Sequence, residues 1–169
     1  MRAFVPTISK LPNRTVLTVT TVGDPNKVSS DAIQALYMTA YQTKFKVFKP
    51  RKKVMEVGGL VARWPDAHRK TKSKWTGIWG LGVSDFVRAK DLLYKHPTIK
   101  PRLAKWKYGL TAQILHVGSY ATEGPTVKKL HDYIASQGYK LAGPHEEEYL
   151  TRPNVKKPKT IIRYLICKA

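Results

Sequence analysis

The order of the short apolar stretches constrains this chain most. Arg14–Val22 (RTVLTVTTV) is dense in β-branched residues and bounded by Asn13 and Gly23, which predicts a strand. Gly23-Asp24-Pro25-Asn26 is turn chemistry. Ser29, Ser30 and Asp31 then offer caps to a helix ending near Phe45, with Ile33, Leu36, Tyr37, Ala40 and Tyr41 as its apolar stripe. Strands follow over Val54–Trp64, where Gly58 and Gly59 predict a bulge, and over Trp75–Leu81. A helix capped by Ser84 is expected over Ser84–Lys95, burying Phe86, Val87, Ala89, Leu92 and Leu93, before a basic connector at Pro97–Lys107.

The second half repeats this order. Gly109–Val117 reads as a strand, and Glu123-Gly124-Pro125 opens a helix with the apolar stripe Val127, Leu130, Tyr133 and Ile134, stopped by Gly138. Tyr139–Thr151 reads as a strand kinked at Gly143-Pro144, and Lys159–Lys168 as the last strand. The expected architecture is therefore α+β, one domain over residues 1–169. Two strand–helix–strand–strand halves, at about 14–82 and 108–168 and joined by a helical connector at 84–107, would form an antiparallel sheet with helices on one face. A ligand groove is expected between the halves.

Composition narrows the function. The chain has 169 residues, enough for a core without disulfide staples, and 42% hydrophobic residues argue against wholesale disorder. Its one cysteine, Cys167, excludes an internal disulfide framework and reads as a buried structural thiol in a cytoplasmic protein. No apolar run is long enough to span a membrane, and Pro6 and Lys10 interrupt the N-terminal stretch too early for a signal core. The net charge is +20. Eleven basic residues face only Glu56 and Asp66 between Lys44 and Lys74, and seven face only Asp91 between Arg88 and Lys107. Such runs fit either non-specific DNA contact or a solvated basic surface, and no nucleic-acid-reading motif accompanies them.

The chemistry-bearing stretch is His145-Glu146-Glu147-Glu148-Tyr149. Strand alternation puts His145, Glu147 and Tyr149 on one face and Glu146, Glu148 and Leu150 on the other. Three adjacent carboxylates repel, so they either serve a site or lie on an exposed edge strand, answered by Lys156, Lys157 or Lys159. The aromatics Tyr37, Tyr41, Trp64, Trp75 and Trp79 are either core or part of a cage for a flat ligand, with Gly77 leaving room between Trp75 and Trp79. The five histidines lack metal-ligand spacing to one another, and no phosphate-loop or dinucleotide fingerprint is present, so no metal and no cofactor are expected.

Ala112–Tyr120 (AQILHVGSY), Glu123–Pro153 (EGPTVKKLHDYIASQGYKLAGPHEEEYLTRP) and Lys159–Ile166 (KTIIRYLI) together resemble the C-terminal half of a GyrI-like small-molecule-binding domain. Gly23–Pro25, Ala35–Phe45, Gly59–Trp64, Lys74–Trp79 and Asp85–Val87 match the first half more loosely. The resemblance implies a duplicated fold that binds planar aromatic or cationic xenobiotics, as a drug-sequestering or detoxifying protein. It implies two alternatives: a hydrolase of cyclopropane-bearing DNA-alkylating natural products, and a basic DNA- or gyrase-interacting protein. The family's pocket carboxylate falls on Glu147 and its tyrosine on Tyr149, which would carry any catalysis. Ligand contacts are expected from Tyr37, Trp64, Trp75, Trp79, Tyr120, His145, Glu147 and Tyr149. Where many stand-alone members have paired tryptophans, this chain has Ala62-Arg63-Trp64, which implies a smaller or altered cage.

Overall fold

The structure, a computed structural model, describes residues 1–152 and 154–169. Pro153, part of the motif that carries the resemblance, lies outside the described residues. The fold is α+β, and every pairing between its strands given below is antiparallel. The chain divides into two compact units, Asn13–Lys107 and Met1–Pro12 with Tyr108–Ala169.

In the Asn13–Lys107 unit, β2 (Arg14–Val22) leads into α1 (Pro25–Gln42), followed by β3 (Val57–Trp64), β4 (Thr76–Val83) and β5 (Arg102–Trp106). The other unit begins with β1 (Thr7–Leu11) and continues with β6 (Gly109–Val117), α2 (Gly124–Ser136), β7 (Tyr139–Leu141), β8 (His145–Tyr149) and β9 (Lys159–Lys168). The strands β2, β6 and β9 match the sequence expectation residue for residue, because each is a β-branched run closed by turn residues. The expected kink splits one strand into β7 and β8, which pair with successive parts of β9.

Within the first unit the order is β3-β4-β2-β5, with α1 packed on β2 and β4. Asp24, not Ser29, Ser30 or Asp31, caps α1: its carboxylate accepts from the Asn26 N–H at 3.0 Å, and Pro25 fills the first turn. Beyond Gln42 the helix widens into a π-helical turn at Thr43–Phe48. The glycine pair gives the expected bulge, a register shift between Val57 and Leu60.

The helix expected over Ser84–Lys95 does not form. Only a 3-10 turn at Ala89–Asp91 exists there, and β5, paired with β2, lies near the end of the expected helical connector. The reason is tertiary. Ser84 Oγ accepts from the Glu56 N–H at 2.8 Å and so is not a cap, while Val87 and Leu92 are buried from an irregular path. Phe86 is half-buried, and Ala89 and Leu93 are exposed, unlike the expected stripe.

In the second unit the order is β1-β6-β9-β8, so the N-terminal strand completes the sheet formed by the C-terminal half. Its core is Ala112, Ile114, Leu130, Ile134, Ile162, Tyr164 and Ile166. Gly138 ends α2 at φ +75°, a conformation that favours glycine. Inward Ile162, Tyr164 and Ile166 alternate along β9, which turns Cys167 outward, and the thiol is exposed where a buried one was expected.

Buried Arg163 on β9 organises β8. It pairs with Glu146 at 3.0 Å and Glu148 at 2.7 Å, and Tyr108 Oη donates to both Glu146 oxygens, at 2.8 and 3.0 Å. The two glutamates therefore answer an arginine in the sheet. Burial opposes charge on Arg163, but Glu148 and Glu146 outweigh it and hold the guanidinium protonated. Arg163→Met should lower unfolding stability by about 3–5 kcal/mol, since it strands a buried carboxylate. A urea midpoint unchanged from the wild type would contradict this account.

Candidate ligand site

The strand β8 divides its side chains between two settings. On the face away from Arg163, Glu147 Oε1 meets His145 Nε2 at 2.9 Å, and Glu147 Oε2 accepts from Tyr149 Oη at 2.6 Å. His145 Nδ1 lies 2.6 Å from Tyr164 Oη. A neutral imidazole satisfies both of its contacts when Nε2 donates to Glu147 and Nδ1 accepts from the Tyr164 hydroxyl. Glu147 is 7% exposed. The alternation read from the sequence thus holds in the contacts of His145, Glu147 and Tyr149, which are gathered into one network.

Tyr120, on the 3-10 turn Tyr120–Thr122, stacks edge-on against Tyr149 with ring centroids 5.7 Å apart. It is 41% exposed, so the cluster opens to solvent on this side. Burial, reinforced by Glu147, pushes the Tyr149 phenol well above its ordinary range, and Tyr120 is raised for the same two reasons. Both therefore stay protonated and can donate hydrogen bonds at neutral pH.

Three further members went unassigned in the sequence. Tyr164 is one of the inward residues of β9 and stacks edge-on with His145 and His131, at 5.3 and 4.8 Å. Burial lowers the His131 pKa. Glu123, immediately before α2, has Oε2 buried with no hydrogen-bond partner. Burial first, and Glu147 second, push its carboxyl up to about 7. The available signals were the alternation of β9 for Tyr164 and the position of Glu123 ahead of the helix.

Among the described residues, Glu123, His145 and Glu147 are the one trio whose donor atoms, all within 4.8 Å of one another, could surround a metal ion. His145 and both Glu147 oxygens are already engaged by protein hydrogen bonds. These interactions occupy His145 and Glu147 and leave Glu123 Oε2 outside them.

The remaining expected contacts lie in the Asn13–Lys107 unit. Trp64 packs 5.8 Å from Trp75 and 5.2 Å from Trp79. Trp75 precedes β4 instead of sharing its face, and its indole N–H donates to the Lys70 carbonyl at 2.9 Å. Trp79 donates to Thr21 Oγ1 at 2.9 Å. Gly77 is obligatory here, because a Cβ would come within 2.9 Å of the Trp64 ring. Arg63 stacks on Trp106 at 3.8 Å from the ring. Tyr37 is half-buried and stacks on Tyr41 at 6.3 Å.

Residues 104–166 match the family model of the GyrI-like small molecule binding domain. No curated protein matches the chain. An uncharacterized conserved protein from Listeria innocua superposes with TM-score 0.84 at 24% identity, over 98% of this chain and 93% of its own. A hydrolase from Listeria innocua gives TM-score 0.83 at 23% identity, over 99% and 94%. The C-terminal domain of EcmrR gives 0.61 at 14% identity, over 98% of both chains. At these identities the likenesses establish the fold.

The raised Glu123 carboxyl makes stability pH-dependent. Its protonated form is favoured in the folded state, so the stabilisation is full below about pH 4.5 and is lost as pH rises through about 7. Wild type should lose on the order of 2 kcal/mol across this window, allowing for partial solvent access, whereas Glu123→Gln should be flat there. Urea titrations at several pH values check this, and identical slopes for the two proteins would refute it.

Proposed function

We propose that this protein binds flat aromatic cations, as a sequestering or detoxifying protein, with the Glu147 carboxylate taking the cationic end. The observation supporting this reading is the division of charge on β8. Arg163 answers Glu146 and Glu148 on one face, whereas Glu147 is held by His145 and the Tyr149 hydroxyl, with no lysine or arginine paired to it among the described residues. A buried carboxylate lacking such a partner favours a cation brought by the ligand. Tyr120 and Tyr149 offer aromatic surface beside it. The lone Cys167 is consistent with a reducing, cytoplasmic setting.

Fluorescence titration with an aromatic cationic dye tests the reading. Glu147→Gln should weaken binding by about 10–150-fold, the usual loss for a charge-assisted contact, with the urea midpoint little changed. Equal affinity of Glu147→Gln and wild type would remove Glu147 from the site.

A hydrolytic reading is favoured by one observation, the 2.6 Å contact of Tyr149 with Glu147. In opening a cyclopropane conjugated to a dienone, Glu147 would take a proton from water as the water oxygen bonds to the ring carbon. The ring C–C bond breaks, its electrons reach the carbonyl oxygen, and Tyr149 donates a hydrogen bond to the phenolate that forms. Single-turnover assays with a cyclopropyl-indole alkylator should show Glu147→Gln and Tyr149→Phe about 10²–10⁴-fold slower than wild type. Binding without product above the buffer rate would leave sequestration as the function.

The basic runs support a separate proposal of non-specific DNA contact. Lys44, Lys46, Lys49, Arg51, Lys52 and Lys53 follow one another with no acidic residue between them, and Tyr41 and Phe45 stand exposed beside them. Binding to duplex DNA should fall steeply with salt, with log K linear in log[salt]. No binding at low ionic strength would leave a solvated basic surface.

A further inference from the structure

Glu123 has no part in the reading above, yet it sits among the residues that carry it. Its buried Oε2 has no hydrogen-bond partner, and a Glu123 oxygen lies within 4.8 Å of a donor atom on both His145 and Glu147. The match to a small-molecule-binding domain covers every member of this cluster. The ionisable groups around the two carboxylates are the Tyr120, Tyr149 and Tyr164 phenols, His145 and, beyond Tyr164, His131 on α2. No lysine or arginine pairs with Glu123 or Glu147 among the described residues.

Two carboxylates this close, one buried and the other half-buried with one oxygen shielded from water, repel each other strongly where no cation lies between them. Either a proton or a ligand cation must relieve them. The uncompensated Glu123 oxygen marks where the relief is missing, since Glu147 already receives two hydrogen bonds. We propose that Glu123 is a second ligand-binding carboxylate, and that an organic cation of the amidinium type binds by displacing a proton held between Glu123 and Glu147. This rests on the cation-binding reading of Glu147 given above.

The exchange balances: the protonated pair plus the amidinium gives the complex and one proton released to solvent. A planar amidinium has two N–H edges, enough to engage both carboxylates at once, as one carboxylate alone does not require. The proton release depends on pH, because it vanishes once the pair is already ionised. With the Glu123 carboxyl near 7, about 0.9 proton should be released per ligand at pH 6 and about 0.1 at pH 8. Affinity for the cation should accordingly rise about tenfold from pH 6 to a plateau near pH 8.

Calorimetric titration with the aromatic diamidine DAPI, in two buffers of different ionisation enthalpy at each pH, reads this directly. Wild type should show a buffer-dependent heat at pH 6 that fades by pH 8. Glu123→Gln should bind without proton release and with an affinity flat across that range. Its circular dichroism and urea midpoint should show an intact fold, and Glu123→Asp should restore part of the proton release. DAPI binding with equal heats in both buffers would overturn the proposal and leave the role of Glu147 standing, as would undiminished release by Glu123→Gln. Failure of wild type to bind DAPI or any other aromatic cation at every pH would overturn the cation-binding reading itself, and this proposal with it.

Discussion

Arg163 is the interaction on which β8 depends. Three consecutive carboxylates cannot enter a buried strand without compensation, because each loses its hydration and repels the next. One guanidinium, placed by register opposite Glu146, reaches Glu146 and Glu148 together and leaves the intervening residue alone. Strand geometry makes this division unavoidable: neighbours along a strand point to opposite faces. The arginine therefore both permits the strand and determines which carboxylate stays without a basic partner. The chemistry on the Glu147 face follows from neutralisation on the other.

Legibility in the sequence tracked how local the cause was. The strands β2, β6 and β9 are local patterns with local stops, and their limits were readable to the residue. The contacts of His145, Glu147 and Tyr149 were readable too, since alternation needs only the strand. Residues 84–95 misled because their apolar spacing is helical, while the Ser84 hydroxyl is taken by the Glu56 backbone, 28 residues earlier in the chain. The short strands β1 and β5 owe their existence to partners far along the chain, β6 and β2, which no local window contains. Glu123 and Tyr164 belong to this second kind: each reaches the cluster only through tertiary folding.

The net charge of +20 opposes the proposed binding of a cation. Distance resolves the conflict. Exposed lysines act through water and salt, and their influence fades over about 10 Å at ordinary ionic strength. Glu147 acts at contact, in surroundings of lower dielectric, where the nearest charge dominates. The basic surface would slow the approach of a cation more than it would weaken the bound state, since long-range charge acts chiefly on encounter.

The same hydrogen bonds that hold Glu147 also tune what it can do. Tyr149 and His145 hold both Glu147 oxygens in place, which fixes the carboxylate for the capture of a cation and occupies the lone pairs a base would use. A ligand or water that displaces the Tyr149 hydroxyl from Oε2 would free an oxygen and release a donor at the same moment. Burial keeps that phenol protonated, so the released donor remains able to meet developing negative charge. Binding and hydrolysis then differ in one physical respect: whether the ligand leaves the Tyr149–Glu147 contact closed or takes its place.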